Sequence, residues 1–171
     1  MAGADHPVIY AGQGIHYAKA WKELKELAEQ WNIPVTTSIE GKSAFPEDHP
    51  LSLGSGGRAN SRPVKRYLEE SDLILGLGVS FALTAFGVPM PPGKKIIHAT
   101  LDPMDLNKDV PADIGLIGDA KLTLAALNSE LSNADNSKAA ARANEPEKIN
   151  ELKEEWMQEW LPKLTLSLIH I

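Results

Sequence analysis

The sequence contains no cysteine, which excludes disulfides, thiolate zinc sites and cysteine nucleophiles. It also lacks a basic cluster: 17 basic residues stand against 23 acidic ones, and the net charge of −6 argues against DNA or RNA as a partner. No run of about 18 apolar residues occurs, so no membrane span is expected, and the first residues do not resemble a signal peptide. These absences predict a cytoplasmic protein.

Histidines at the spacings typical of metal ligands are also missing. The five histidines are scattered along the chain, so none of them is predicted to bind a metal. What the sequence does have is 43% hydrophobic residues in a chain of 171, which is enough for a single well-buried core. One folded domain, with or without a tail, is therefore expected.

The organising stretch of the chain begins with an apolar run at residues 7–11, which ends at Gly12, Gln13 and Gly14. Apolar residues then recur at three- and four-residue steps over 17–31, so the pattern predicts a strand, a tight turn and one helix. Glycine permits positive φ or close backbone approach, and the N-terminus of a following helix attracts anions. The turn thus predicts a nucleotide site, although many doubly wound domains use such a turn only to reverse the chain.

An ordinary NAD site is disfavoured by two departures from the dinucleotide fingerprint. Tyr17 occupies the position at which the fingerprint has its third glycine. The second predicted strand, 33–38, ends without an acidic residue for the ribose, and the first carboxylate after it is Glu40.

Short apolar segments at 51–53, 72–79, 94–102 and 114–119 alternate with predicted helices at 62–68 and 120–131. This alternation predicts an α/β fold: a Rossmann-like parallel sheet of about six strands with helices on both faces. Ligands of such sheets bind beyond the carboxyl ends of the strands. The residues at those ends form the predicted cofactor-binding set, and no catalytic or metal-binding residue is predicted: Gly12, Gln13, Gly14, Ser38, Gly54, Gly78, Asp102 and Asp119.

The last part of the chain is predicted to lie outside the sheet domain, which spans 7–131. Residues 132–147 are polar and lack an apolar period, which predicts a linker. The segment 148–171 begins as an amphipathic helix with Trp156 and Trp160 near one face, and its apolar ending after Leu164 is typical of a truncated or fused tail. We expect the core to end at Leu131 and the helix to pack on its own sheet domain or on a second copy of the chain.

Several segments, taken in order, resemble the central domain of thiamine-diphosphate-dependent enzymes, and of the acetolactate synthase type in particular. They are 7–14, 34–38, Phe45-Pro46, His49-Pro50, Leu53-Gly54, Leu77-Gly78, Ile97-His98, Leu101-Asp102-Pro103 and Gly118-Asp119-Ala120. The resemblance implies a parent enzyme of three domains. The two missing domains would bind the pyrimidine of the cofactor and, through magnesium, its diphosphate, and they are the partners that the resemblance implies.

The resemblance also implies a nucleotide-shaped groove, which different members of the family use for FAD, for an ADP moiety or for nothing. Flavin-binding members usually carry arginines soon after the position of Gly78, whereas 79–84 has no charge here, so FAD is disfavoured. Gly118-Asp119-Ala120 lacks the last glycine of the family's magnesium motif. Thiamine diphosphate and magnesium are therefore expected only in the parent enzyme.

The leading hypothesis is an isolated central domain of a thiamine-diphosphate-dependent lyase or synthase, without catalysis of its own. An ADP-type nucleotide and FAD are the candidate ligands of its groove. Two alternatives stay open: a structural spacer and dimer scaffold with a vestigial groove, and a free-standing nucleotide-binding oxidoreductase domain. The missing acid on the second strand and the missing substrate domain argue against the oxidoreductase.

Overall fold

The computed structural model describes residues 1–165 and contains a six-stranded parallel sheet with the order β3-β2-β1-β4-β5-β6. The predicted α/β sheet is thereby confirmed. The strand order reverses between β1 and β4, which is the point at which open parallel sheets bind their ligands. The strands are β1 (Pro7–Ala11), β2 (Val35–Thr37), β3 (Ser52–Ser55), β4 (Leu73–Leu77), β5 (Lys95–Thr100) and β6 (Ile114–Ile117).

The helices lie on both faces of the sheet. Right-handed crossovers place α2, which leads from β1 to β2, and α3, which leads back from β3 to β4, on opposite faces. α4 and α5 pack with α2, α1 packs with α4, and α6 packs against α3. The helices are α1 (Gly14–Tyr17), α2 (Trp21–Trp31), α3 (Arg62–Glu70), α4 (Ala120–Leu131), α5 (Ser137–Ala141) and α6 (Glu145–Thr165).

The single helix predicted over 17–31 is wrong at its start, because the structure has two helices there. α1 ends at Tyr17, and Lys19 adopts a left-handed φ of 52° before α2 begins. His16 stabilises the break: its Nε2 donates to the Lys42 carbonyl and its Nδ1 accepts from the Trp21 indole, both at 2.9 Å. These His16 hydrogen bonds do not change the spacing of the apolar residues, so the sequence pattern could not reveal the break between the two helices.

The segment predicted as a linker, 132–147, contains α5 and the start of α6 and is packed on the rest of the chain. Ala139 is buried, and Arg142, only 4% exposed, donates from Nη2 to the Trp31 carbonyl (2.8 Å) and from Nη1 to the Ala4 carbonyl (3.0 Å). The buried core also includes Ile149 of α6, so it extends past Leu131, where we expected it to end.

The predicted amphipathic helix at 148–171 corresponds to most of α6. Its first turns bury Ile149 and Leu152 beside α3, whereas Trp156 is half-buried and Trp160 is exposed. The packing on α3 agrees with one of the two expected partners, the chain's own sheet domain. The apolar ending that we interpret as a truncated or fused tail lies, beyond Thr165, outside the described residues.

Candidate functional site

Three of the predicted glycines pack directly on one another at the point where the strand order reverses. A Cβ atom on Gly12 would lie 2.3 Å from the Gly78 carbonyl oxygen, and one on Gly14 would lie 2.7 Å from the Gly78 Cα. Gly78 itself has a φ of 58°, which favours glycine. The glycines at these positions therefore let the turn after β1 close against the turn after β4.

Two amide groups of this turn, those of Gly12 and Gly14, are already bonded to the chain. Gly12 N–H donates to the Leu77 carbonyl and Gly14 N–H donates to the Gly78 carbonyl, both at 2.9 Å. A diphosphate would need such groups to be free. These two bonds hold the chain reversal between β1 and α1 and occupy the two amides.

Gly41 belongs to the same packed cluster and was not among the predicted site residues. A Cβ atom on it would lie 2.6 Å from the Ala11 carbonyl oxygen, and its amide donates to the Ser38 hydroxyl at 3.0 Å. The Gly12 backbone is thus held between Gly41 on one side and Gly78 on the other. In the sequence, Gly41 shows only a superficial likeness to the end of a P-loop, so its packing role could not be found there.

A small cleft opens beside this cluster, among the loops that follow β1, β2 and β4. Its volume is about 140 Å³, below the roughly 300–1,000 Å³ typical of small-molecule sites. It brings together three predicted residues, Gly12, Gln13 and Ser38, and it adds Glu40, which is the only charged residue among those that line it. Burial and the nearby Glu40 carboxylate raise the pKa of Tyr10, another lining residue, to about 12, so its phenol is neutral.

The other predicted residues lie at the same edge of the sheet but outside the cleft. Asp119 accepts from the Lys121 and Leu122 amides (2.9 and 3.1 Å) and begins α4, an ordinary N-cap arrangement. Asp102 accepts from the Met104 amide (2.9 Å) and begins a short 3₁₀ turn. Gly54, at the end of β3, has a φ of 90°, and no atom lies within 4 Å of a Cβ placed on it.

The loop 78–94 covers the sheet between β4 and β5, where a crossover helix would otherwise lie. The Phe81 ring lies over Gly76, since a Cβ on Gly76 would be 2.3 Å from Phe81 Cε2. It also packs between Tyr10 and His98, at centroid distances of 5.7 and 4.8 Å. His98 fixes the loop in turn, because its Nε2–H donates to the Val79 carbonyl at 2.6 Å.

His98 is expected to make stability fall at acid pH. Burial lowers the pKa of its imidazole below 6.5, while the Val79 carbonyl and Asp105 oppose the shift. Below pH 6.5 the unfolded chain therefore binds a proton that the folded chain does not, so the free energy of unfolding decreases as the pH falls. Urea unfolding at pH 7.5 and 5.5 should show this loss.

The matched variant for that measurement is His98→Gln, whose amide can still donate to the Val79 carbonyl but does not titrate. We expect it to be less stable than the parent chain at neutral pH and to lose less stability on acidification. An equal loss in both proteins would show that other groups carry the pH dependence.

The residues 1–165 hold no group of three or more His, Asp or Glu side chains placed to bind a metal ion. Within the same range, no helix is both long and apolar enough to cross a bilayer.

Comparisons with known proteins agree with this architecture. A solved structure from Mycobacterium smegmatis, assigned as a thiamin diphosphate-dependent enzyme, superposes with a TM-score of 0.61 at 29% identity, covering 75% of this chain and 25% of that one. A protein of Methanococcus aeolicus assigned as an acetolactate synthase large subunit is 36% identical over 153 residues, which are 88% of this chain and 25% of the relative. An acetolactate synthase of Mycobacterium avium is 36% identical over 129 residues, which are 74% and 21% of the two chains.

The chain thus spans about a quarter of the length of these relatives. The family model of the thiamine pyrophosphate enzyme central domain matches residues 1–127, which include all six strands and the turns that form the cleft. The chain belongs to the family of thiamine pyrophosphate enzyme central domains.

Proposed function

We propose that this chain is the central domain of an acetolactate synthase-like enzyme and has no catalysis of its own. The observation that carries this proposal is the glycine cluster of Gly12, Gly14 and Gly78, in which the Gly12 and Gly14 amides are bonded within the chain. Beside it lies a small cleft with one carboxylate. Such a site has no paired acid and base and no electrophile, so it supports a scaffold role better than a reaction.

The partners in this proposal are the two flanking domains of the parent enzyme. They would supply the binding sites for the pyrimidine and for the magnesium-bound diphosphate of thiamine diphosphate. The aligned relatives are about four times as long as this chain, which leaves room for both domains.

For the groove, we propose an ADP-type nucleotide as the ligand and not FAD. A second cleft of about 220 Å³ shares Ala82, Thr84, Gly87 and Val88 of its lining with the first one. Even together, the two clefts only reach the lower end of the range for drug-sized ligands, about 300–1,000 Å³. FAD carries two ring systems joined by a diphosphate and exceeds this space.

The purified chain is therefore expected to be colourless and inactive. Incubated with pyruvate, magnesium and thiamine diphosphate, it should form no acetolactate, and its absorbance spectrum should show no flavin band. The acetolactate synthase of Mycobacterium avium, assayed in parallel, is the control for the activity measurement. A yellow preparation would contradict the groove assignment, and acetolactate formation by this chain would contradict the scaffold role.

Sequencing the gene on both sides of the region that encodes this chain distinguishes the proposed function from the oxidoreductase alternative. We expect one flank to encode a pyrimidine-binding domain with its catalytic glutamate and the other to encode a Gly-Asp-Gly magnesium motif. Flanks without both features would exclude an acetolactate synthase-like parent.

A further inference from the structure

A third cleft lies at the edge of the sheet where the strands begin, opposite the glycine cluster. Its volume is about 320 Å³, within the roughly 300–1,000 Å³ typical of small-molecule sites. Pro7, the first residue of β1, and Pro34, directly before β2, line one side of it. The last turns of α3, the end of α5 and the first turns of α6 supply the rest of the lining.

Two oppositely charged side chains that line this cleft are almost completely buried. Arg142, which follows α5, is 4% exposed, and Glu145, which begins α6, is 6% exposed. The two residues are held together through the main chain, because the Glu145 N–H donates to the Arg142 carbonyl at 3.0 Å. Their side chains form no ion pair with each other, however, and each is bonded to other groups.

The Arg142 guanidinium keeps donors for a ligand. Of its five N–H groups, those on Nε and Nη2 donate to the Trp31 carbonyl and one on Nη1 donates to the Ala4 carbonyl. Among residues 1–165, the second N–H of each Nη atom has no partner, and no carboxylate bonds to Arg142. Buried charges are normally paired with an opposite charge, and a guanidinium fork matches the two oxygens of a carboxylate.

The Glu145 carboxylate keeps acceptor sites for a ligand. Tyr67 Oη donates to its Oε2 at 3.0 Å, and Lys148 Nζ donates to its Oε1 at 2.7 Å. Burial and the nearby Glu145 carboxylate raise the pKa of the Tyr67 phenol, so this hydroxyl stays a donor and holds the carboxylate in place. A carboxylate has about four lone-pair sites, so each oxygen of Glu145 can accept one more hydrogen bond, for example from an ammonium group.

The whole lining of the cleft favours a ligand with both charges. It contains four glutamates against three Lys or Arg side chains, so an anion and a polycation would each meet groups of their own sign. A zwitterion avoids this repulsion because its two charges can face opposite groups. The buried Leu152, 5% exposed, adds an apolar surface beside Pro7 and Pro34.

We propose that this cleft binds a free α-amino acid with an aliphatic side chain. The carboxylate of the ligand bonds to the two remaining N–H groups of Arg142, and its ammonium group bonds to Glu145. Its side chain packs on Pro7, Pro34 and Leu152. The proposal is independent of the nucleotide groove, because the two places lie at opposite edges of the sheet.

Isothermal titration of the full chain with L-norleucine at neutral pH tests this assignment. The matched ligands are hexanoate, which is norleucine without its ammonium group, and pentylamine, which is norleucine without its carboxylate. We expect norleucine to bind at one site per chain. Each ligand with a single charge should bind roughly 10- to 100-fold more weakly, because one hydrogen-bonded charge pair is lost.

Glu145→Gln tests the ammonium site. The amide keeps the shape of the side chain and can still accept from Tyr67, but it carries no charge. We expect norleucine to bind this variant roughly 10- to 100-fold more weakly, and hexanoate to bind it no more weakly than it binds the parent chain. The matched control is Glu147→Gln, which removes the same charge from an exposed residue outside the cleft and should bind norleucine as the parent chain does.

Four results would overturn the proposal. The first is the absence of saturable norleucine binding to the parent chain, and the second is binding of hexanoate or pentylamine as tight as that of norleucine. The third is a folded Glu145→Gln variant with the affinity of the parent chain, which would place the site elsewhere. The fourth is equal weakening in Glu145→Gln and Glu147→Gln, which would show a non-specific charge effect. The comparison of ligands on the parent chain decides the matter if Glu145→Gln does not fold.

Discussion

Replacing Gly12 by alanine should destabilise this protein severely. The added Cβ would lie 2.3 Å from the Gly78 carbonyl oxygen and 2.6 Å from the Val79 Cα, and both are main-chain atoms that no rotamer change can move. Gly41 packs on the opposite side of Gly12, so the Gly12 backbone cannot shift away from Gly78. Overpacking costs about 1–3 kcal/mol where side chains can adjust, and here two turns would have to separate. We therefore expect a loss of about 3 kcal/mol or more, a large share of the ~5–15 kcal/mol of a typical domain.

Urea unfolding followed by circular dichroism measures this loss, or, if Gly12→Ala is too unstable to purify, the soluble yield reports it. Gly3→Ala is the control, because no atom lies within 4 Å of a Cβ at Gly3. It should unfold at the same urea concentration as the parent chain. If Gly12→Ala did the same, the close packing of the three turns would be disproved.

Replacing Arg142 by methionine should have the second large effect. The Arg142 guanidinium donates to the buried Trp31 carbonyl, at the end of α2, and to the half-buried Ala4 carbonyl, and its removal leaves both oxygens without these donors. Burial lowers the pKa of Arg142, whereas Glu145, Asp72 and Asp5 raise it, and the group stays charged at neutral pH. A hydrogen bond from a charged donor is worth about 1.5–3 kcal/mol, so losing the bonds to both carbonyls should cost about 3–5 kcal/mol.

Thermal unfolding of Arg142→Met checks this value, and Arg142→Lys should recover only part of the stability, because an ammonium cannot reproduce the planar fork. The control is Arg62→Gln, which breaks an exposed ion pair with Glu159 and should cost at most about 1 kcal/mol. An Arg142→Met variant as stable as the parent chain would support the prediction of a linker over 132–147.

The sheet was predictable because its central strands are buried on both faces. β1 and β4 are buried at every position, and such strands give uninterrupted apolar runs that differ from a helical period. The predicted site residues lie at or near the carboxyl ends of the strands, but their bonds were not predictable. Asp119, for example, follows β6 as expected, yet its carboxylate caps α4. A sequence shows where a residue lies along the chain but not which groups it hydrogen-bonds.

What the sequence could not show depends on contacts between distant residues. Arg142 contacts Trp31 and Ala4 across most of the chain, and a single arginine in a polar stretch carries no periodic signal. Gly41 packs on Gly12 through main-chain atoms, which no pattern of side chains records.

The strand order also sets the sequence of events during synthesis. β1 is the first of these six strands to leave the ribosome and lies in the middle of the sheet, where Ile9 pairs with Val35 of β2 and Pro7 pairs with Leu73 of β4. The second pairing must wait until β4 has been made, and parallel strands far apart in the chain join slowly because a long loop has to close first. Until then, the edge of β1 that will pair with β4 is unpaired, and the five residues of β1 that are buried in the finished sheet are not yet covered. The nascent chain is thus most exposed to aggregation before its fourth strand emerges, a period in which chaperones would act.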